Sequence, residues 1–139
     1  MFNSNENDAA RQCSEDTGEN PKPPTASEYF RRSPGSAIHQ AVANVVATFG
    51  PVEERASKSQ ISFSRRRGFA YLWCPGQYVR SHVPAVLSIA LPREVQSARF
   101  KQTAHPSPLV WMHHLELQDA RSIDSEVASW LREAYNAAQ

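Results

Sequence analysis

The stretch "RRRGFAYLWCPG", Arg65 to Gly76, sets three consecutive arginines beside three aromatics at every second position. Guanidinium forks grip phosphate or carboxylate, and aromatic rings along one strand face stack bases or cover an apolar body. Arg65, Arg66, Arg67, Phe69, Tyr71 and Trp73 are therefore the candidate ligand-binding residues, and the chemistry they suit is capture of an anion. A second group could do different chemistry. His113, His114, Glu116 and Cys74 hold the imidazole, carboxylate and thiol groups of an enzyme site. Adjacent His113 and His114 point to opposite faces of a strand, whereas His114 and Glu116 share one.

The basic-aromatic strand runs close to the octamer of RNA-recognition motifs. Arg67, Gly68, Phe69 and Ala70 fit it, Tyr71 and Leu72 replace like with like, and Cys74 fails at the closing aromatic. That fold also needs an aromatic strand upstream and a helix directly downstream. Here the upstream segment is the helical "AIHQAVANVV" and the downstream one is Pro-rich, so the octamer stands without its fold. Two arrangements remain for the rings. Phe69, Tyr71 and Trp73 form one face of a strand packed on helices, or they lie together on an open face as an exposed apolar patch. In the second case Ala70, Leu72 and Cys74 face the helices.

Other chemistries find less to work with. Two cysteines, Cys13 and Cys74, make neither a zinc ribbon nor a disulfide scaffold. No glycine-framed serine elbow or phosphate-cradling glycine loop is present. Glu53 and Glu54 are neighbours on opposite strand faces, and Asp119, Asp124 and Glu126 read as turn and cap residues. No catalytic residue, metal or cofactor is assigned. Arg65 to Arg67 would build a stronger anion site if Lys58, Arg80, Arg99 and Lys101 converged on them; otherwise they are a solvated turn guarding a sheet edge.

The elements that must position these residues follow from periodicity. In residues 1–27, five acidic side chains face two basic ones and few apolar residues occur, so this part reads as a disordered acidic tail. The remaining 28–139 carry a net charge of +4, since the whole chain is +1. With 139 residues, 40% of them hydrophobic, the chain holds enough apolar material for one domain. "SAIHQAVANVVATFG" spaces Ile38, Val42, Val45, Val46 and Phe49 as a helix capped by Ser36 and stopped at Gly50 and Pro51. "EYFRRSPG" before it is an anchor in which Tyr29 and Phe30 pack on the domain.

After Pro51 the period becomes two. "VEERAS", "SQISFSR", "GFAYLWC", "AVLSIALP", "SARFKQ" and "PLVWMHHLEL" read as strands, with "PGQYVRSHVP" and "AHPSP" as loops and "AVLSIALP" at the sheet centre. "DSEVASWLREAYNAA" ends the sequence as a helix under Ser122 or Asp124. The fold expected is α+β: a two-layer sandwich with an N-terminal helix, an antiparallel sheet of five to six strands and a C-terminal helix. The start lacks a secretory signal and no apolar run can cross a bilayer, which sets a cytoplasmic, membrane-free expectation.

Taken in order, "KSQISFSRRRGFAYLWCPGQYV", "AVLSIALPR", "ARFKQTAHPSPLVWMHHLEL" and "DSEVASWLREAY" resemble an uncharacterised bacterial family filed as a domain of unknown function, some members of which are labelled predicted transport proteins. The resemblance covers nearly all of 28–139. It implies a small stand-alone or appended domain and brings no reaction, ligand or catalytic residue with it. The reading that results is a non-catalytic binding domain for an anionic partner, whether protein, nucleic acid or small molecule. The competing reading is an enzyme built around His113, His114, Glu116 and Cys74. For a nucleic-acid ligand, binding is expected to weaken with added salt and with joint replacement of Arg65, Arg66 and Arg67 by alanine. An anisotropy titration indifferent to both changes excludes that ligand.

Overall fold

The computed structural model describes residues 26–31, 35–75 and 83–139. A single turn, α1 (Ala26–Tyr29), opens the described part. Tyr29 and Phe30 are buried, their rings edge to face at 4.8 Å, and the Tyr29 hydroxyl donates to the Pro84 carbonyl at 2.9 Å. This is the anchor expected from "EYF". Residues 1–25 of the expected tail and the loop 76–82 lie outside the described residues, and with them Cys13, Arg80 and His82, whereas Ala26 and Ser27, the last two residues expected in the tail, lie in α1.

Helix α2 (Gly35–Ala47) buries Ile38, Val42 and Val46, one residue per turn on a single stripe. It begins one residue before Ser36, which therefore lies inside the helix rather than capping it. It is stopped near Gly50, whose φ of 141° belongs to the region glycine tolerates. A Cβ there would stand 2.6 Å from the Tyr135 hydroxyl, and that hydroxyl donates to the Pro51 carbonyl at 3.1 Å.

Six antiparallel strands follow: β1 (Glu53–Ala56), β2 (Ile61–Ser64), β3 (Gly68–Trp73), β4 (Ala85–Leu91), β5 (Phe100–Ser107) and β6 (Val110–Leu117). They lie in the order β1-β2-β3-β4-β6-β5. β4 has neighbours on both sides, as its continuous apolar run requires. β6, with Leu115 and Leu117, takes the inner place beside β4, and β5 is left at the edge. That edge suits its sequence, because after Phe100 it is largely exposed and carries Pro106, which has no N–H for a neighbour. The loop expected at "AHPSP" is shorter than the sequence suggests. β5 continues through Ser107, and the connection to β6 is the turn at Pro108 and Leu109.

Helix α3 (Ser125–Ala137) is capped by Asp124, whose side chain accepts from the Val127 N–H at 3.1 Å. Its buried face is Val127, Trp130, Leu131, Ala134 and Tyr135. The strand register lines up Ile61, Leu72, Leu87, Leu115 and Phe100 across the sheet, with Phe63, Ala70, Ile89 and His113 in the next row. These rows join the buried faces of both helices in one core. The architecture is the expected two-layer α+β sandwich, with the described helices on one face and, among the described residues, no helix on the other.

One irregularity decides where the aromatics go. Phe63 pairs with Ala70 but Ser64 pairs with Gly68, so Phe69 is an extra residue, a β-bulge. The bulge breaks the alternation and sends Phe69 to the same side as Ala70. Phe69 is fully buried and meets the Tyr135 ring edge on at 5.5 Å. Tyr71 and Trp73, in the rows of Ser88 and Val86, lie half-buried on the opposite face. Neither expected arrangement of the three rings as a unit holds. Phe69→Ala is expected to cost about 3–5 kcal/mol in chemical denaturation, the usual loss for a fully packed ring, and Tyr71→Ala clearly less. Equal losses would contradict the split.

Candidate functional site

The basic turn between β2 and β3 is committed mainly to α3. The backbone N–H groups of Arg66 and Arg67 donate to the Ala138 carbonyl at 3.1 and 3.3 Å. Arg65 donates from Nη1 to the Tyr135 carbonyl at 3.3 Å and lies 4.4 Å over the Tyr135 ring; Arg67 donates from Nη2 to the Ala137 carbonyl at 2.6 Å. The last carbonyls of a helix have no partner within it and sit at the negative end of its dipole, so cations are stabilising there. Through Arg65 and Arg67 the turn caps the C-terminal end of α3. The Arg66 side chain is exposed and makes no hydrogen bond or ion pair among the described residues.

Among the described residues the wider cluster of cations does not assemble, and Arg80 lies outside them. Arg99 binds Asp124 at 3.1 Å, Glu126 at 2.8 Å and the Ser122 carbonyl at 3.2 Å, at the N-terminal end of α3. The two ends of a 13-residue helix are about 20 Å apart. Lys58 stands in the β1–β2 turn, where its carbonyl accepts from the Ala26 N–H at 3.0 Å.

Part of the sequence-derived set does meet at a cavity of about 230 Å³ at the end of the sheet. Arg67, Phe69 and Tyr71 line it from one side, Leu109 and Met112 from the β5–β6 hairpin. The small side chains Ala90, Ala134 and Ala137 leave the space open. Gly68 shapes the wall, because a Cβ on it would overlap the Tyr71 hydroxyl and push the ring away. Leu109 forms the lip. It is 73% exposed, which singles it out among the large apolar side chains described. Met112 and Leu109 were not anticipated from the sequence; Leu109 between Pro108 and Val110 was the available signal, an apolar residue in a turn.

Trp73 belongs to a different feature. Its Nε1–H donates to Ser88 Oγ at 2.9 Å, and Ser88 Oγ lies 2.7 Å from His114 Nδ1. The Ser88 hydroxyl accepts from Trp73 and shares a second hydrogen bond with Nδ1, so it bridges the two rings. The Trp73 and His114 rings meet edge to face at 6.3 Å. Ser88, the one hydroxyl in the apolar run of β4, is 4% exposed and satisfied on both sides. A buried serine so engaged is a cross-strand tie, and it does not line the cavity described above.

The competing enzyme constellation comes apart for the same reason of strand parity. His113 is fully buried on the helix side, where Nε2 accepts from the Val95 N–H at 2.9 Å and Nδ1 is 2.9 Å from the Trp111 carbonyl. Both nitrogens are spent, and the ring packs 4.7 Å from Phe100. Cys74 lies in the core and is disulfide-bonded, its partner outside the described residues, so no free thiol is available. Only His114 and Glu116 remain on the helix-free face. Among the described residues no group of three metal-ligating side chains forms, and no helix is long and apolar enough to cross a membrane.

The profile of a family described as "Domain of unknown function (DUF5655)" matches residues 26–138, from α1 through α3. The chain belongs to this family. No curated protein and no solved structure matches it. Within this DUF5655 domain the cavity, the capped helix end and the Trp73–Ser88–His114 tie all lie inside the matched span.

Burial, with repulsion from His113, holds the His114 imidazole below the ordinary value of 6.5. The unfolded protein therefore takes up that proton at higher pH than the folded one, and acidification from 6.5 down to the folded value favours unfolding. The thermal unfolding temperature of the wild type is expected to fall over that window. His114→Asn, whose side-chain amide can still hydrogen-bond Ser88, should flatten this part of the profile, and an unchanged slope would contradict the assignment.

Proposed function

We propose that this domain is a non-catalytic binding module whose ligand is held at the cavity at the end of the sheet. One observation carries the reading: Arg67, Phe69 and Tyr71, three residues picked out by chemistry alone, meet there around apolar space. The ligand is an anionic group joined to a small apolar body. The body enters between Tyr71, Met112 and Leu109, and the charge stays at the rim beside Arg67, which retains N–H donors beyond the one given to Ala137. A volume of about 230 Å³ falls below the range usual for drug-sized ligands, so the group that enters is one ring or one branched aliphatic group. Arg65 acts through helix capping in this reading, and Trp73 through its tie to Ser88. A bacterial source and a transport label, which the family resemblance implies, agree with a domain that holds a ligand without transforming it.

Titration with phenylacetate, followed by backbone and methyl NMR, tests the site. Saturable shifts are expected at Gly68, Leu109 and Met112, weaker at high salt and with neutral phenylacetamide. Arg67→Gln is expected to weaken binding about tenfold, the effect of losing one charge-assisted contact. Equal responses to the anion and the amide, or none at the cavity, would reject it.

A further inference from the structure

We infer that the natural occupant of this cavity is an acidic segment of another protein, seated by one aromatic or aliphatic side chain. The inference rests on the cavity being the ligand site. Three observations carry it further. The cavity holds one side chain, whereas Leu109 on its lip is 73% exposed. Leu109 continues the apolar lining of Val110 and Met112 outward from the cavity, so a polypeptide passing across the lip would cover apolar surface that a ligand confined to about 230 Å³ leaves in water. Next, Arg66 stands beside Arg67 in the same turn, its side chain exposed and without a partner among the described residues, and it does not line the cavity. A single carboxylate on a small molecule satisfies the rim at Arg67; carboxylates spaced along a peptide on either side of the anchor reach Arg66 as well. Last, the +4 charge of residues 28–139 favours a partner of opposite sign.

The mode is an anchor in a pocket, not strand addition at the exposed edge of β5. That edge is guarded by Lys101, by Pro106 and by register breaks at Phe100/Gln102 and Ala104/Ser107. The β1 edge, Glu53 to Ala56, is only four residues long, and its carboxylates are already engaged, Glu53 with Arg55 and Glu54 with His39.

Fluorescence anisotropy with the full-length protein tests the inference using labelled peptides of the form Gly-Glu-Glu-Phe-Glu-Glu-Gly. The Phe peptide is expected to bind at least tenfold more tightly than phenylacetate. Replacing its Phe by Gly, or its Glu residues by Lys, should weaken it at least tenfold. Arg66→Gln should weaken the peptide about fivefold and leave phenylacetate unchanged, and Leu109→Ser should weaken the peptide while the fold, read by thermal unfolding, stays intact. Phenylacetate saturating the cavity with the peptide no tighter and insensitive to Arg66→Gln would overturn the inference and leave the site standing. Silence of the cavity towards both would remove both. A single-stranded oligonucleotide binding more tightly than the Phe peptide would overturn it in favour of nucleic acid.

Discussion

The edge-on contact between Phe69 and Tyr135 ties the sheet to its C-terminal helix, and much of the molecule is arranged around it. Tyr135 also meets Phe49 at 5.6 Å, lies under the Arg65 guanidinium, and sends its hydroxyl to Pro51 beside Gly50. One ring thus joins β3, the end of α2, the entry to β1 and the basic turn. The contact exists because a single extra residue in β3 turns Phe69 toward the helices. Without that bulge, alternation would leave Phe69 beside Tyr71 on the helix-free face and a void under Tyr135. A bulge of this kind re-aims one side chain while the flanking ladder stays paired.

The same turn that precedes the bulge carries the charge. Three arginines in a row look like a ligand site, and two of them spend guanidinium donors on the orphan carbonyls of α3. Capping and binding are not exclusive, since a guanidinium has five donors and the helix end uses few of them. The cap in fact fixes the rim of the cavity: Arg67 is held against Ala137, on the same helix whose small residues, Ala134 and Ala137, leave the space open. Stability and binding therefore meet in one residue, which is why Arg66, whose side chain leaves the helix end alone, is the better probe of a partner.

Buried polar groups explain how the sheet keeps its register between two unlike faces. His113 and His114 are neighbours with opposite fates. One is enclosed under the helices by Val95, Trp111 and Phe100, and the other hydrogen-bonds Ser88 on the far side. A slip of one residue would exchange them, leaving a buried imidazole without its backbone donor and Ser88 without its imidazole partner. The cost of unsatisfied polar groups in the core opposes any such slip.

Helices, strands and the buried stripe Ile38, Val42 and Val46 were legible in the amino-acid pattern, because periods of 3.6 and two are local consequences of backbone geometry. So were the anchor at Tyr29 and Phe30, the central place of β4 and the opposed faces of His113 and His114, while the cap was legible only as Ser122 or Asp124, and the structure takes Asp124. The extent of β5 was not, because Pro106 reads as a loop unless its strand is known to lie at an edge. The fate of "RRRGFAYLWCPG" was not either. Composition determined that arginines and aromatics share a strand and its turn. Only the tertiary structure decided that Phe69 enters the core, Tyr71 walls a cavity, Trp73 ties to Ser88 and two arginines close a helix. The reason is that a bulge is defined between two strands: the extra residue is visible only once Ser64 has found Gly68 across the sheet.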